Sequence, residues 1–119
     1  MRAAGLLGLA LLAGACAGAP DTTPAFDLVM LAPTAEDAEP SVTVGWLRLG
    51  EPMLLYSTEA AARAEDHPAC VSLRPLSMAG VVSKEYDGRR MAVTGRVERD
   101  VKSPCASGLT IVANDISVP

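Results

Sequence analysis

Three cysteines, one histidine and a cluster of five basic residues are the side chains of this 119-residue chain whose types could do chemistry. Cys16, Cys70 and Cys105 form no Cys-x-x-Cys and have no thiol-activating neighbourhood, so redox catalysis is not expected of them. His67 has Glu65, Asp66 and Cys70 close by, which are ligand types for zinc or copper. Such sites draw on several imidazole or thiolate ligands, and a single histidine falls short, so no metal is expected and His67 reads as part of a polar loop at a helix end. The serines have no recognisable base partner, and nothing places two carboxylates at a common cleft. No glycine-rich phosphate loop occurs. The chain reads as a non-enzyme without a cofactor.

Arg89, Arg90, Arg96, Arg99 and Lys102 hold half of the ten basic residues. Period-two alternation puts Arg90 and Arg96 on one outward face, together with Glu98. Small barrels use such faces to bind oligonucleotides or sugars. Single-strand binders also need aromatic stacking platforms, and Phe26, Trp46, Tyr56 and Tyr86 are the only aromatic residues, so nucleic acid is not an expected partner. Two readings stay open for these arginines: an anionic envelope partner, or a solvated strand face with Arg/Glu pairs. Trp46 and Tyr56 fall in adjacent predicted strands and are either core or the lining of a shallow groove for a sugar ring or an apolar partner. Trp46, Tyr56, Arg90 and Arg96 together form the candidate binding face.

The N-terminus says where these residues work. Arg2 precedes an uncharged run of Leu, Ala and Gly over residues 3–15. That run is shorter than the roughly 20 residues needed to cross a bilayer. A charged head, a short apolar body and small residues at its end mark an export signal, here residues 1–15. Leu12-Ala13-Gly14-Ala15-Cys16 resembles the lipobox of bacterial lipoproteins, in which the cysteine is acylated and becomes the first residue of the mature chain. The resemblance implies that Cys16 is the lipidation site. A soluble secreted protein and an uncleaved anchor are the alternatives. With Cys16 taken by lipid, Cys70 and Cys105 remain as a disulfide pair in a compartment where bridges persist. The loop they enclose is worth about 4 kcal/mol on the chain-entropy estimate. Because Ala17 rather than Asp follows Cys16, the lipoprotein sorting rule implies an outer membrane location facing the periplasm.

Removal of residues 1–15 leaves nine basic and fourteen acidic residues, a net charge of −5, which again disfavours polyanions whose affinity comes from Lys and Arg. Residues 16–40 read as the lipidated cysteine plus a flexible tether, rich in Pro, Ala, Thr and acids. Residues 25–32 form an apolar insert within it that either adds an edge strand or packs on the domain. From residue 41 the pattern is mostly period two, the mark of half-buried strands. Strands are predicted over residues 41–49, 53–56, 70–73, 89–99 and 109–118. A helix is predicted over residues 58–65, capped by Ser57, and the third strand is expected to stop at Arg74-Pro75. Residues 76–85 are ambiguous and hold at most a short helix. Gly95 amid clean alternation suggests a bulge or a sharp bend of the kind that closes small barrels.

The fold class is therefore mainly β with one short helix, a small five-stranded barrel or curled antiparallel sheet over residues 41–119. Two stretches carry a resemblance. Gly45-Trp-Leu-Arg continuing to Leu54-Leu-Tyr-Ser57, an Ala-rich helix and Cys70-Val-Ser-Leu73 is one. Tyr86-Asp-Gly-Arg-Arg-Met-Ala-Val-Thr-Gly95, followed by a second cysteine, is the other. Both are similar to a loose family of small exported bacterial lipoproteins of uncharacterised function with an OB-fold-like domain. The resemblance implies fold and location and carries over no catalytic residue. The expected function is a membrane-tethered, non-enzymatic binding or structural accessory of the cell envelope, with envelope proteins or glycans as partners. The alternative is a small-ligand or glycan binder using the barrel face near Trp46 and Tyr56.

Overall fold

The computed structural model describes residues 19–76 and 82–119. The expected export signal and Cys16 lie outside the described residues, as does most of the ambiguous stretch after Leu76. The sheet contains β1 (Ser41–Arg48), β2 (Met53–Tyr56), β3 (Cys70–Pro75), β4 (Arg90–Arg99) and β5 (Leu109–Ser117), with one helix, α1 (Glu59–Ala64), between β2 and β3. The strands close in the order β1-β2-β3-β5-β4, a small OB-like barrel. All pairings are antiparallel except β3 with β5.

Alternation decides which side chains fill the interior. Leu47, Leu55, Val71, Leu73, Met91, Val93, Val97, Leu109, Ile111, Ala113 and Ile116 form the main core. On β1 the inward set is Thr43, Gly45 and Leu47, while Val42, Val44 and Trp46 face outward. On β4 the inward set is Met91, Val93, Gly95 and Val97. The ladder between β4 and β5 shifts register between Thr94 and Gly95, which is the bulge that the glycine signalled. A β-carbon at Gly95 would stand 2.2 Å from the Val112 carbonyl oxygen, so only glycine lets the strands meet there.

A second, outer cluster joins Tyr56, Ala61, Ala62, Cys70 and Cys105, with Trp46, Leu54 and Ala69 against it. Here α1 lies on the outer side of β1 and β2, and the Cys70–Cys105 disulfide (Cα–Cα 5.4 Å) ties the start of β3 to the β4–β5 loop. Thr58, not Ser57, caps the helix: its Oγ1 accepts the Ala61 N–H at 3.0 Å. Ser57 is still engaged as extended chain, its N–H donating to Ala69 O and its carbonyl accepting from Ala25. Arg48 secures the other end of α1, donating to Ala62 O at 2.7 Å and pairing with Asp87 at 3.3 Å. That joins the last helical carbonyls and the Asp87-Gly88 turn to the end of β1.

β3 also runs past its expected stop. Pro75 lies opposite Ala113 in the parallel ladder, and the next donor, Leu76 N–H, reaches Ala113 O. Proline costs nothing at a position whose N–H is not called on.

The larger departure is in the segment expected to be a flexible tether up to residue 40, of which only the insert over residues 25–32 was expected to add an edge strand or pack on the domain. Asp21 donates its N–H to Glu59 Oε1 and accepts from Ala60 N–H. Thr34 exchanges two bonds with Val97: its N–H donates to Val97 O at 2.8 Å, and its Oγ1 accepts the Val97 N–H at 2.8 Å. Arg96 donates to Ala35 O and Ala38 O. Phe26 and Leu31 pack against the main core. Gly45 makes room for Phe26, whose ring edge comes within 3.0 Å of where a Gly45 β-carbon would begin. Residues 21–38 are a strap over the barrel rather than free chain. The physical reason is that β1 begins only at Ser41, opposite Gly95, so β4 residues beyond Gly95 have unpaired backbone groups on that side. Thr34 satisfies two of them. Arg96→Ala should free the strap while leaving the barrel standing. The expected result is faster protease cleavage between residues 34 and 40, with a loss of roughly 1 kcal/mol or less in global unfolding.

Candidate functional site

The four residues of the expected binding face do not form one surface. Trp46 and Tyr56 are cross-strand partners, as adjacent strands implied, and Arg90 sits opposite Trp46 on the other side. Tyr56, however, is only 1% exposed, enclosed by α1, Cys70 and Cys105. Burial, with the Glu65 charge nearby, pushes its phenol pKa up. The ring is core. Arg96 is held by the strap carbonyls, as described above. Trp46 and Arg90 share a small hollow with Asp21, Thr23 and Pro24, walled by the strap. Asp21 is held below the ordinary aspartate pKa mainly by the Thr23 N–H and hydroxyl, with a further contribution from the Arg90 charge. The Trp46 indole N–H is buried without a hydrogen-bond partner.

The other expected candidates are scattered. His67 is exposed on a 3-10 turn (His67–Ala69), where its carbonyl accepts the Ala106 N–H. Among the described residues no group of three His, Cys, Asp or Glu is placed to hold a metal ion. Glu98 pairs with Arg74 across 3.4 Å at the exposed surface, a contact worth little. Among the described residues no helix is long and apolar enough to cross a membrane.

A groove of about 430 Å³ lies elsewhere, on the outer side of β3 and β5. Glu51 and Pro52 from the β1–β2 turn close one end, and the loop over Asp100, Lys102, Ser103 and Pro104 closes the other. The floor is Ser72, Leu73, Arg74, Pro75 and Thr110. Alternation explains these side chains: Val71 and Leu73 fill the core, so Ser72 and Arg74 on β3 and Thr110 on β5 point outward. The disulfide fixes the loop at its base, because Cys105 follows Pro104 directly. Ser72 and Ser103 join their hydroxyls across the groove. Thr110 donates its hydroxyl to Asp100 Oδ2 at 2.7 Å, and Lys102 N–H donates to Asp100 Oδ1 at 3.0 Å.

These two bonds hold the Asp100 carboxyl below the ordinary aspartate value, the Thr110 hydroxyl being the larger cause. A carboxylate with a lowered folded-state pKa adds stability above its unfolded value of about 3.9, and that contribution is lost as pH falls through the folded value. Thr110→Val should therefore raise the Asp100 pKa toward the ordinary value, read by NMR titration of the carboxyl carbon below about pH 5.

Sequence reasoning missed this groove because its walls are two loops and a single alternate row of a strand. The one available signal was the polar residues Ser72 and Thr110 inside otherwise apolar strands. The groove offers hydroxyls, both signs of charge and proline surface, and no aromatic ring lines it. Compared with known proteins, the chain matches no family model, no curated protein and no solved structure.

Proposed function

We propose that the chain is an exported, membrane-tethered lipoprotein that serves the cell envelope as a non-enzymatic binding accessory, with the groove over β3 and β5 as its contact surface. The observation that carries this reading is the Cys70–Cys105 disulfide. It accounts for two of the three cysteines and leaves Cys16, directly behind an export-type run, to take an acyl chain. Bridges of this kind persist outside the reducing cytosol, which agrees with export. Ala17 after Cys16 supports the outer membrane facing the periplasm. A tether raises the effective concentration of the domain for partners at that surface, so even a weak groove contact is useful there.

Intact mass of the protein from its native membrane fraction, with and without reduction, tests the reading. A chain beginning at Cys16, carrying acyl groups and gaining two hydrogens on reduction, is the expected result. An unacylated chain in the soluble fraction would overturn it.

The cavity volume favours a second reading, a small-ligand or glycan binder, since sites for small molecules run from about 300 to 1,000 Å³. With Tyr56 buried, that ligand would occupy the groove and not the face near Trp46. Amide shifts confined to Ser72, Asp100 and Thr110 in a soluble-glycan titration would support it. Unmoved signals across the panel would leave the macromolecular partner as the better account.

A further inference from the structure

The docked strap changes how far the barrel can stand from its anchor. The first stitched residue is Asp21, bonded to Glu59 Oε1 at 2.8 Å and to the Ala60 N–H at 2.9 Å. Five Cα steps separate it from Cys16, a reach of at most about 18 Å, against roughly 85 Å for a free tether through residue 40. The same strap carries two adjacent apolar side chains that are almost fully exposed, Val29 at 90% and Met30 at 77%. The turn that presents them is fixed: Asp27 Oδ1 accepts the Val29 N–H at 3.0 Å, and Asp27 O accepts the Met30 N–H at 3.1 Å. Met30 borders a shallow depression of about 350 Å³ with Phe26, Leu31, Val42 and Val44, and Val42 is itself 61% exposed.

Resting on the acylation of Cys16 proposed above, we infer that the Val29–Met30 turn is a membrane-contact element, seated in the headgroup region of the bilayer that holds the acyl chains. A leash of this length keeps the strap beside the lipid surface, where exposed apolar tips gain by burial at the boundary of headgroup and chain. Asp27 borders the patch and no basic residue lines the depression, so the matching surface is zwitterionic rather than anionic. Barrel order puts the strap over β1 and β4 and the groove over β3 and β5. Seating the strap on lipid leaves the groove free.

The test uses the full acylated chain with Met30→Cys carrying an environment-sensitive fluorophore. Acylation blocks Cys16 and the bridge occupies Cys70 and Cys105, so the new thiol is the one that reacts. In phosphatidylcholine vesicles with brominated acyl chains the probe should shift to the blue and lose most of its emission. The same probe at Val101→Cys, on the β4–β5 loop where the native side chain is 98% exposed, should not change. Equal quenching at both positions, or none at either, in protein of confirmed acylated mass would overturn the inference. A blue shift in lipid-free detergent that grows with protein concentration would overturn it too, assigning the turn to a second copy of the chain. A mass without acyl groups would sink the lipoprotein reading itself, and this inference with it.

Discussion

Cys70→Ser lowers unfolding stability by about 4 kcal/mol, the chain-entropy value for a bridge across a sequence separation of 35 residues. Cys105→Ser has the same effect, and the double variant is no worse than either, because all three remove the same constraint. The context makes this a large fraction of the whole. A domain of this size has a stability of order 5–15 kcal/mol, so losing the bridge approaches the limit of folding. Both sulfurs are buried in the outer cluster, with Cys70 at 0% and Cys105 at 3% exposure. Urea unfolding of wild type in strong reductant should reproduce the single variants. A clear difference between the two single variants would mean that packing of one thiol, and not the closed loop, supplies the stability. Local consequences follow too: without the bridge the loop over Asp100–Pro104 loses its fixed base, and the groove should lose definition before the barrel does.

Gly95→Ala is the second large effect, about 3 kcal/mol or more, because the added carbon meets backbone and not a side chain that could turn away. The Val112 oxygen would lie 2.2 Å away, with the Val112 carbonyl carbon and the Ala113 Cα at 2.9 and 3.0 Å. Relief requires β4 and β5 to part at the bulge. Gly88→Ala is the control. Gly88 has φ +77 with nothing within 4 Å of a built β-carbon, so its cost is conformational only, about 1 kcal/mol. Equal losses at the two positions, measured by thermal unfolding, would mean that the strands yield at the bulge and that no tight closure exists there.

How far the sequence disclosed the structure depends on where each residue's partners are. The strands were legible because burial on one face writes itself as alternation: Met91, Val93, Gly95 and Val97 point inward as the pattern required. The bulge was legible because a glycine in that alternation has few other uses. The cysteine pair followed from counting. Packing of the insert over residues 25–32 was one of two readings its apolar residues offered, but the strap after it was not legible, since its bonds run from Thr34, Ala35 and Ala38 to β4, and most of the strap's groups in them are backbone. Backbone groups are the same in every residue and leave no composition signal. Proline, alanine and acids over residues 33–40 read as free chain for that reason. Arg96 looked like a surface charge because alternation gives its direction and not its neighbour. Tyr56 and Trp46 were placed in adjacent strands, and the register makes them cross-strand partners. What buries Tyr56 is α1, which follows it in the chain, together with Cys105, which the bridge brings in from a loop distant in sequence.

The position of β5 in the barrel also governs when this protein can fold. Of the five barrel strands β5 is made last, yet it supplies the partner for both β3 and β4 and contributes Leu109, Ile111, Ala113 and Ile116 to the core. Until it arrives, Val71, Leu73, Val93 and Val97 lack the Leu109, Ile111, Ala113 and Ile116 side of the core. The contacts that close the sheet are therefore long in sequence, and such topologies fold late and slowly. A chain cut after Gly108 should show no cooperative transition. Under the export proposed above, such a delay would keep the chain an open thread until β5 is complete.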